Sequence, residues 1–237
     1  MPRRPPLGQH FLRDERYAQR AVDAAGLKPD DVVLEVGPGK GVLTRRLVPR
    51  CARVVAVEID PALADGIARD LPQVDLLRGD AVQVEWPRFD ACVSNLPYQI
   101  SSPFLFRLLA TEFRVAVLLV QKEFADRLVA KVDTADYGRL SVNAQRRADV
   151  EIVARVPPGA FDPPPQVESA LVKVTPRPPA FEVPPNYDAV VERAFAQRRK
   201  KIANALGAKG VPFAEKRAGE LSPEDFARVA EHLRAGP

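Results

Sequence analysis

Cysteine is scarce in this chain. Only Cys51 and Cys92 occur, 41 positions apart, which is no metal-ligand spacing and too few thiols for a disulfide scaffold. No apolar run approaches the roughly 20 residues that a membrane span needs, so no membrane partner is expected. The stretch Met1-Pro-Arg-Arg-Pro-Pro-Leu7 has charge but lacks the apolar core of a secretory signal. These absences predict a cytoplasmic protein without a metal. No internal repeat is present, which excludes a solenoid or propeller.

What is present is globular in composition. The 237 residues are 46% hydrophobic, enough for one domain, or one domain with a small appendage, and too apolar for general disorder. The net charge of +4 permits a nucleic-acid partner without requiring one. Proline is abundant at 24 residues, about twice the average near 5%. Ten of these lie between Pro157 and Pro185, where they predict ordered loops or a linker.

Short runs rich in Val, Ala and Leu alternate with helical stretches, the pattern of an α/β fold with a largely parallel, buried sheet. Strands are predicted over 31–36, 53–58, 74–77, 91–94 and 115–120, with helices near 43–47, 61–71 and 121–132. Residues 150–156 and 169–174 are expected to close the sheet, as an antiparallel pair. After Pro185 the pattern turns helical over 187–206, 212–217 and 222–233. The predicted division is a sheet domain, residues 1–177, and a small helical domain, residues 178–237.

The turn Glu35-Val-Gly-Pro-Gly-Lys-Gly41 leaves a strand and enters a helix. Gly37 and Gly39 let a ligand approach the backbone. Val42 occupies the third-glycine position of the dinucleotide fingerprint, and no Gly-Lys-Ser/Thr follows, so neither that motif nor a phosphate-binding P-loop is complete. Glu58 ends the second strand, where a carboxylate can accept both ribose hydroxyls. Asp80, just past the third, can accept from an adenine amine. Alone, the turn reads equally as a tight strand–helix connection. With Glu58 and Asp80 it favours S-adenosylmethionine over a dinucleotide.

Ser94-Asn-Leu-Pro-Tyr98 ends the fourth strand and suits methylation of an exocyclic amine, whose lone pair is delocalised into its ring. If Asn95 Oδ1 and a backbone carbonyl, that of Leu96, accept the two N–H groups, the nitrogen is drawn toward a tetrahedral shape and its lone pair toward the methyl carbon. Pro97 stiffens the turn and Tyr98 offers a stacking ring. Phe161, in the proline-rich loop, is either a second stacking wall or a core-capping ring. Arg193, Arg198, Arg199, Lys200 and Lys201, followed by Lys209, Lys216 and Arg217, face only Glu215 as an acid within residues 193–217. That block is a phosphate footprint or a solvated helix face; Arg3 and Arg4 can add to it.

Taken together the chain resembles the KsgA family of ribosomal RNA adenine dimethyltransferases. The matching strings are Gly8-Gln-His-Phe-Leu12, Leu34-Glu-Val-Gly-Pro-Gly-Lys-Gly41, Val57-Glu-Ile-Asp60, Gly79-Asp-Ala81 and Asn95-Leu-Pro-Tyr98. Gln121-Lys-Glu-Phe124, Tyr137-Gly-Arg-Leu-Ser141, Phe161-Asp-Pro-Pro-Pro-Gln-Val-Glu-Ser169 and Phe195-Ala-Gln-Arg-Arg-Lys200 follow in family order, and 144–154 looks most like archaeal members. The resemblance implies a Rossmann-like methyltransferase domain with a small C-terminal helical domain. It also implies N6,N6-dimethylation of two adjacent adenosines near the 3′ end of small-subunit ribosomal RNA. Implied cofactor contacts are His10 (where Asn is common), Leu12, Gly37, Glu58, Asp80 and Asn95. The expected partner is the small ribosomal subunit or its RNA, with the chain a monomer. An Erm-like enzyme acting on large-subunit RNA, an RNA-binding assembly factor and a nicotinamide oxidoreductase are the rival readings. Leu96, Asn95 with Asp80, and Val42 respectively weigh against them.

Overall fold

A computed structural model describes residues 9–235, so Arg3, Arg4 and Gly8 lie outside the described residues. In chain order the elements are β1 (Phe11–Leu12), α1 (Glu15–Ala25), β2 (Val32–Val36), α2 (Thr44–Leu47), β3 (Arg53–Glu58), α3 (Pro61–Asp70), β4 (Asp75–Arg78), β5 (Ala91–Asn95), α4 (Ser101–Leu108) and β6 (Val115–Gln121). Then come α5 (Lys122–Val129), α6 (Arg139–Arg147), β7 (Ala148–Val156), β8 (Phe161–Asp162), β9 (Ser169–Pro176), α7 (Tyr187–Ala196), α8 (Ile202–Leu206) and α9 (Pro223–Ala235).

Seven strands form one sheet in the order β4-β3-β2-β5-β6-β9-β7. Strands β4, β3, β2, β5 and β6 are mutually parallel, and β9 runs antiparallel to β6, with Leu119 opposite Leu171. Every residue of β3 after Arg53 is buried, as are the first six residues of β6; this is why these strands read as unbroken apolar runs. The chain steps outward from β2 to β3 and β4, then returns to place β5 on the other side of β2. Such a reversal leaves a crevice at the carboxyl ends of β2 and β5, the usual ligand position in open α/β sheets. The glycine turn and Asn95 both lie there.

The chain forms two compact units: Met1–Ala125 with Glu151–Thr175, and Asp126–Val150 with Pro176–Pro237. A cut at residue 177 therefore misplaces residues 126–150. Tyr137 and Val142 from that segment pack into the helical unit's own core with Tyr187, Val191, Ile202, Leu206 and Phe226. The fully buried Tyr137 hydroxyl donates to the Leu221 carbonyl at 3.0 Å. The helix expected over 187–206 is two helices, interrupted at the consecutive cations 198–201. Val190, Val191 and Ala194 before the break, and Ile202, Ala205 and Leu206 after it, supply buried faces that the cations do not. Residues 212–217 form turns instead of a helix. Ile202 N–H bonds the Lys216 carbonyl (2.7 Å) and Ala203 N–H that of Ala214 (3.2 Å), so these carbonyls cap the start of α8. Phe213 at φ +58° also stands outside helical geometry.

Phe161 is a core residue. It lies opposite Leu12 in the small antiparallel β1–β8 sheet, is 1% exposed, and packs in the sheet unit's main cluster with Leu12, Ala18 and Val156. The expectation of a second stacking wall is corrected accordingly. Two backbone bonds from Arg13 and Asp14 N–H to the Ala160 carbonyl (2.9 and 3.1 Å) clamp this segment and turn the ring inward. Phe161→Ala is expected to lower unfolding free energy by about 3–5 kcal/mol; an unchanged chemical-denaturation midpoint would return the ring to the surface.

Candidate active site

Three left-handed glycines shape the turn after β2, and one of them cannot be replaced. Gly39 has φ +55°, and a Cβ there would stand 2.9 Å from the Phe11 ring. Phe11 thus packs directly on the backbone, with Lys40 Nζ 4.8 Å from its ring centroid. The turn is fastened to β3 by Glu58, which is 5% exposed. Its Oε2 accepts from Gly39 N–H (3.2 Å), and its Oε1 from Ile59 and Asp60 N–H (both 2.9 Å).

Asn95 has its amide orientation fixed by chemistry. Its Nδ2 donates to the His10 carbonyl at 3.2 Å; a carbonyl only accepts, so the other amide atom, Oδ1, is the free acceptor. Leu96 N–H bonds the Leu119 carbonyl (3.1 Å), while the Leu96 carbonyl has no hydrogen-bond partner among the described residues. Among the described residues, two acceptors without a donor therefore sit on successive residues, one on Asn95 and one on Leu96. The adjacent Tyr98 hydroxyl bonds Ser169 Oγ at 2.7 Å, and its ring lies 5.8 Å from that of His10 at 30°. Burial raises the Tyr98 hydroxyl above its ordinary pKa, opposed by the Ser169 bond. His10 Nδ1 is 2.9 Å from the Pro163 carbonyl, which assigns the proton to Nδ1.

A cavity of about 610 Å³ at the ends of β2, β3 and β4 is lined by Gly37, Glu58, Ile59, Asp80 and Gln99. A neighbouring cavity, sharing Gly37, Glu58 and Pro97, is lined by His10, Phe11, Asn95, Leu96 and Tyr98. Below the glycine turn lies a third, lined by Phe11, Leu12, Glu35, Gly39 and Asn95. The expected residues His10, Leu12, Gly37, Gly39, Glu58, Asp80, Asn95, Leu96, Pro97 and Tyr98 are thus brought together, and Phe161 is not among them. Asp80 Oδ1 accepts Val82 N–H (2.9 Å), and Oδ2 has no partner among the described residues. Among those residues no cluster of three metal-ligating side chains occurs, and no helix is long and apolar enough to cross a membrane.

The four basic residues expected to meet RNA are all exposed in the helical unit, but they differ in freedom. Arg198 Nη2 donates to the Thr134 and Ala135 carbonyls (3.2 and 2.8 Å), and Lys201 pairs with Glu215. Arg199 and Lys200 have no such partner among the described residues. Arg198, Arg199, Arg217 and Thr134 line a cleft of about 280 Å³.

Glu35 was not singled out from sequence, although a carboxylate inside Val32-Val-Leu-Glu-Val36 is conspicuous. It is 1% exposed, and its Oε2 has no hydrogen-bond partner; neither has Thr44 Oγ1. Burial pushes the Glu35 carboxyl up to about 8; the neighbouring Thr44 hydroxyl opposes that rise and the Glu58 charge adds to it.

A doubly wound sheet with a glycine turn, two carboxylates lining the crevice and an amide acceptor at its switch point defines a Rossmann-like methyltransferase. A model of the family described as ribosomal RNA adenine dimethylase matches residues 2–225, and the chain belongs to that family. A probable ribosomal RNA small subunit methyltransferase A from Methanococcoides burtonii is 43% identical, over 95% of this chain and 91% of that protein. Its namesake from Methanothermobacter thermautotrophicus is 44% identical, over 96% and 89%. Among solved structures, a dimethyladenosine transferase from Plasmodium falciparum superposes with TM-score 0.85 at 28% identity, covering 95% of this chain and 98% of that one. The 23S rRNA methyltransferase ErmE gives 0.74 at 31% identity, covering 94% and 99%.

The family and fold imply S-adenosylmethionine, and the cavity fits it. Its volume lies within the range of about 300–1,000 Å³ for small-ligand sites, and Glu58 Oε2, which carries one N–H bond, and Asp80 Oδ2, without a partner among the described residues, are acceptors for the donors an adenosine carries.

Between pH 4.5, where Glu35 ionises in the unfolded chain, and about 8, the folded state holds a proton the unfolded chain has lost. Stability therefore falls as pH rises through this window, by up to about 1.4 kcal/mol per unit. Glu35→Gln removes that dependence. The variant is expected to match the wild type near pH 4, below the unfolded-state value, and to exceed it increasingly toward pH 8; a thermal-unfolding difference that stays flat would show Glu35 ionised in the folded chain.

Proposed function

We propose that this chain is an S-adenosylmethionine-dependent enzyme that converts two adjacent adenosines near the 3′ end of small-subunit ribosomal RNA to N6,N6-dimethyladenosine, acting as a monomer in the cytoplasm. The observation that carries this reading is the pair of unsatisfied acceptors, Asn95 Oδ1 and the Leu96 carbonyl. An adenine amine has two N–H groups to place and a lone pair that must leave the ring plane. Accepting both N–H groups stabilises the pyramidal nitrogen and costs no protonation change at Asn95. Tyr98 supplies a ring against which an unstacked base can lie, held in place by Ser169. When bound, the cofactor supplies an electrophilic methyl group on a sulfonium. Glu58, Asp80 and the glycine turn hold its adenosine part, and Asn95 sets the amine for in-line attack. The amine nitrogen gains its methyl as the methyl–sulfur bond breaks and then loses one proton to solvent, so a single N–H remains after the first transfer and one of the two acceptors suffices for the second.

The small-subunit names of the relatives at 43–44% identity support this substrate over a large-subunit one, as does the superposition on the dimethyladenosine transferase at 0.85, compared with 0.74 for ErmE. Incubation with labelled S-adenosylmethionine and undermethylated small subunits, followed by mass-spectrometric mapping, is expected to find both labels on N6 of neighbouring adenosines. Asn95→Ala should lower the rate by about 10²–10³-fold while leaving subunit binding intact. Label on large-subunit RNA, or an undiminished variant, would overturn the assignment.

Arg199 and Lys200 are exposed cations of the basic block that have no partner among the described residues and so are free to meet phosphates. The double substitution Arg199→Ala/Lys200→Ala is expected to weaken RNA binding and reduce the salt slope of log K by about 1–2, as for two lost phosphate contacts. An unchanged slope in salt-titrated binding would place the RNA elsewhere.

A further inference from the structure

We propose that Arg107, on α4, is a positioning residue that holds the turn carrying Asp80 and thereby sets the selectivity of the cofactor site for adenine. The inference rests on the cofactor reading above. Arg107 lines neither the cavity around Asp80 nor that around Asn95, so it acts through the turn. Its Nη1 donates to the Ala81 carbonyl at 2.8 Å and its Nη2 to the Val84 carbonyl at 2.5 Å. One planar guanidinium thus grips both ends of the stretch 81–84 that follows Asp80.

The geometry of that turn passes a shift at either end directly to Asp80. The Asp80 carbonyl accepts Gln83 and Val84 N–H (2.8 and 2.9 Å), its Oδ1 accepts Val82 N–H (2.9 Å), and Gly79 N–H bonds the Glu58 carbonyl (2.9 Å). Val84 also packs on the backbone before Asp80: a Cβ on Gly79, at φ +147°, would stand 2.6 Å from Val84 Cγ1. These bonds tie the turn to itself and to β3. The two bonds from Arg107 tie it to α4 as well, so Val84 is held from both sides and Asp80 Oδ2 keeps its place in the cavity wall.

Arg107 is itself fixed by aromatic packing. Its Cζ lies 3.9 Å from the centroid of the Trp86 ring, a cation–π contact. Trp86 in turn packs on the fully buried Phe104, one helical turn before Arg107 (5.2 Å, 54°), and on Phe89 (6.1 Å, 72°). Helix α4 follows the Asn95–Tyr98 turn with only Gln99 and Ile100 between. Pro97, Gln99 and Ile100 line the same cavity as Gly79, Asp80 and Ala81, so Arg107 fastens one wall of that cavity to the other. A guanidinium is suited to this because two of its nitrogens serve two carbonyls at once, whereas an ammonium is a single point donor.

The test compares, by isothermal titration calorimetry, S-adenosylhomocysteine with S-inosylhomocysteine, which carries an oxygen acceptor in place of the adenine amine. The wild type is expected to prefer the first by at least about tenfold, the effect of one hydrogen bond to a charged group. Arg107→Ala should reduce the preference to about twofold or less, by weakening S-adenosylhomocysteine and leaving S-inosylhomocysteine near its wild-type affinity. Arg107→Lys keeps a charge beside Trp86 but serves one carbonyl, and should retain a preference of about threefold. In an Asp80→Ala background, Arg107→Ala should change neither affinity by more than about twofold, because the two residues act as one unit. Equal weakening of both ligands by a folded Arg107 variant would make the residue a structural staple and overturn the proposal, as would additive losses in the double variant. The lysine variant decides if the alanine variant does not fold. A wild type that binds both ligands equally, or neither, would instead refute the adenine reading of Asp80 and the proposal with it.

Discussion

Three backbone N–H groups converge on the Glu58 carboxylate, one from the glycine turn at Gly39 and two from the turn that follows β3. A carboxylate this deeply buried is tolerable only because both oxygens are hydrogen-bonded. In return it fixes the spacing of two turns that belong to different strands. With Gly39 pinned from one side and Phe11 pressed on it from the other, the left-handed turn has no freedom to collapse into the crevice. Phe11 is itself held by the β1–β8 pairing, and His10, one residue earlier, receives the Asn95 amide. The whole crevice is thus organised by contacts between backbone and short polar side chains, which are far less adaptable than packed aliphatic groups.

Glu35 and Glu58 are two carboxyls in one site with opposite surroundings. Glu58 faces three donors; Glu35 faces none from the backbone and one hydroxyl. The three donors let Glu58 order two turns, whereas burial raises the Glu35 carboxyl to about 8. Environment, not residue type, makes that distinction.

The central strands were legible because burial on both faces leaves little room for anything but Val, Ala and Leu, and because Gly37, Glu58, Asp80 and Asn95 each stand at a strand end. Helix α1 was not read, although its buried Ala18, Ala21, Val22 and Ala25 fall at helical spacing opposite the exposed Arg16, Arg20 and Asp23. Helices α4 and α6 escaped because their buried sides mix Ser101 with Phe104, and Asn143 and Arg146 with Leu140. The division into units was misread because a linear cut cannot show that Tyr137 bonds a carbonyl 84 residues later. Phe161 is the plainest case. A phenylalanine among prolines can point either way, and only the pairing of its backbone with Leu12 turns it inward.

The basic block of the helical unit shows why charge counted along a sequence overstates charge available to a partner. Arg193 caps the Leu206 carbonyl at 2.7 Å, Arg198 holds two carbonyls of the 134–135 turn, and Lys201 is neutralised by Glu215. These three cations stabilise the break between α7 and α8, where consecutive positive residues would otherwise have no reason to stay folded. The break in turn leaves Arg199 and Lys200 exposed and uncommitted between anchored neighbours. A phosphate meeting them encounters side chains whose backbone is already ordered, so less conformational entropy is lost on contact. The charge left available to a partner is smaller than the sequence suggests, and better ordered.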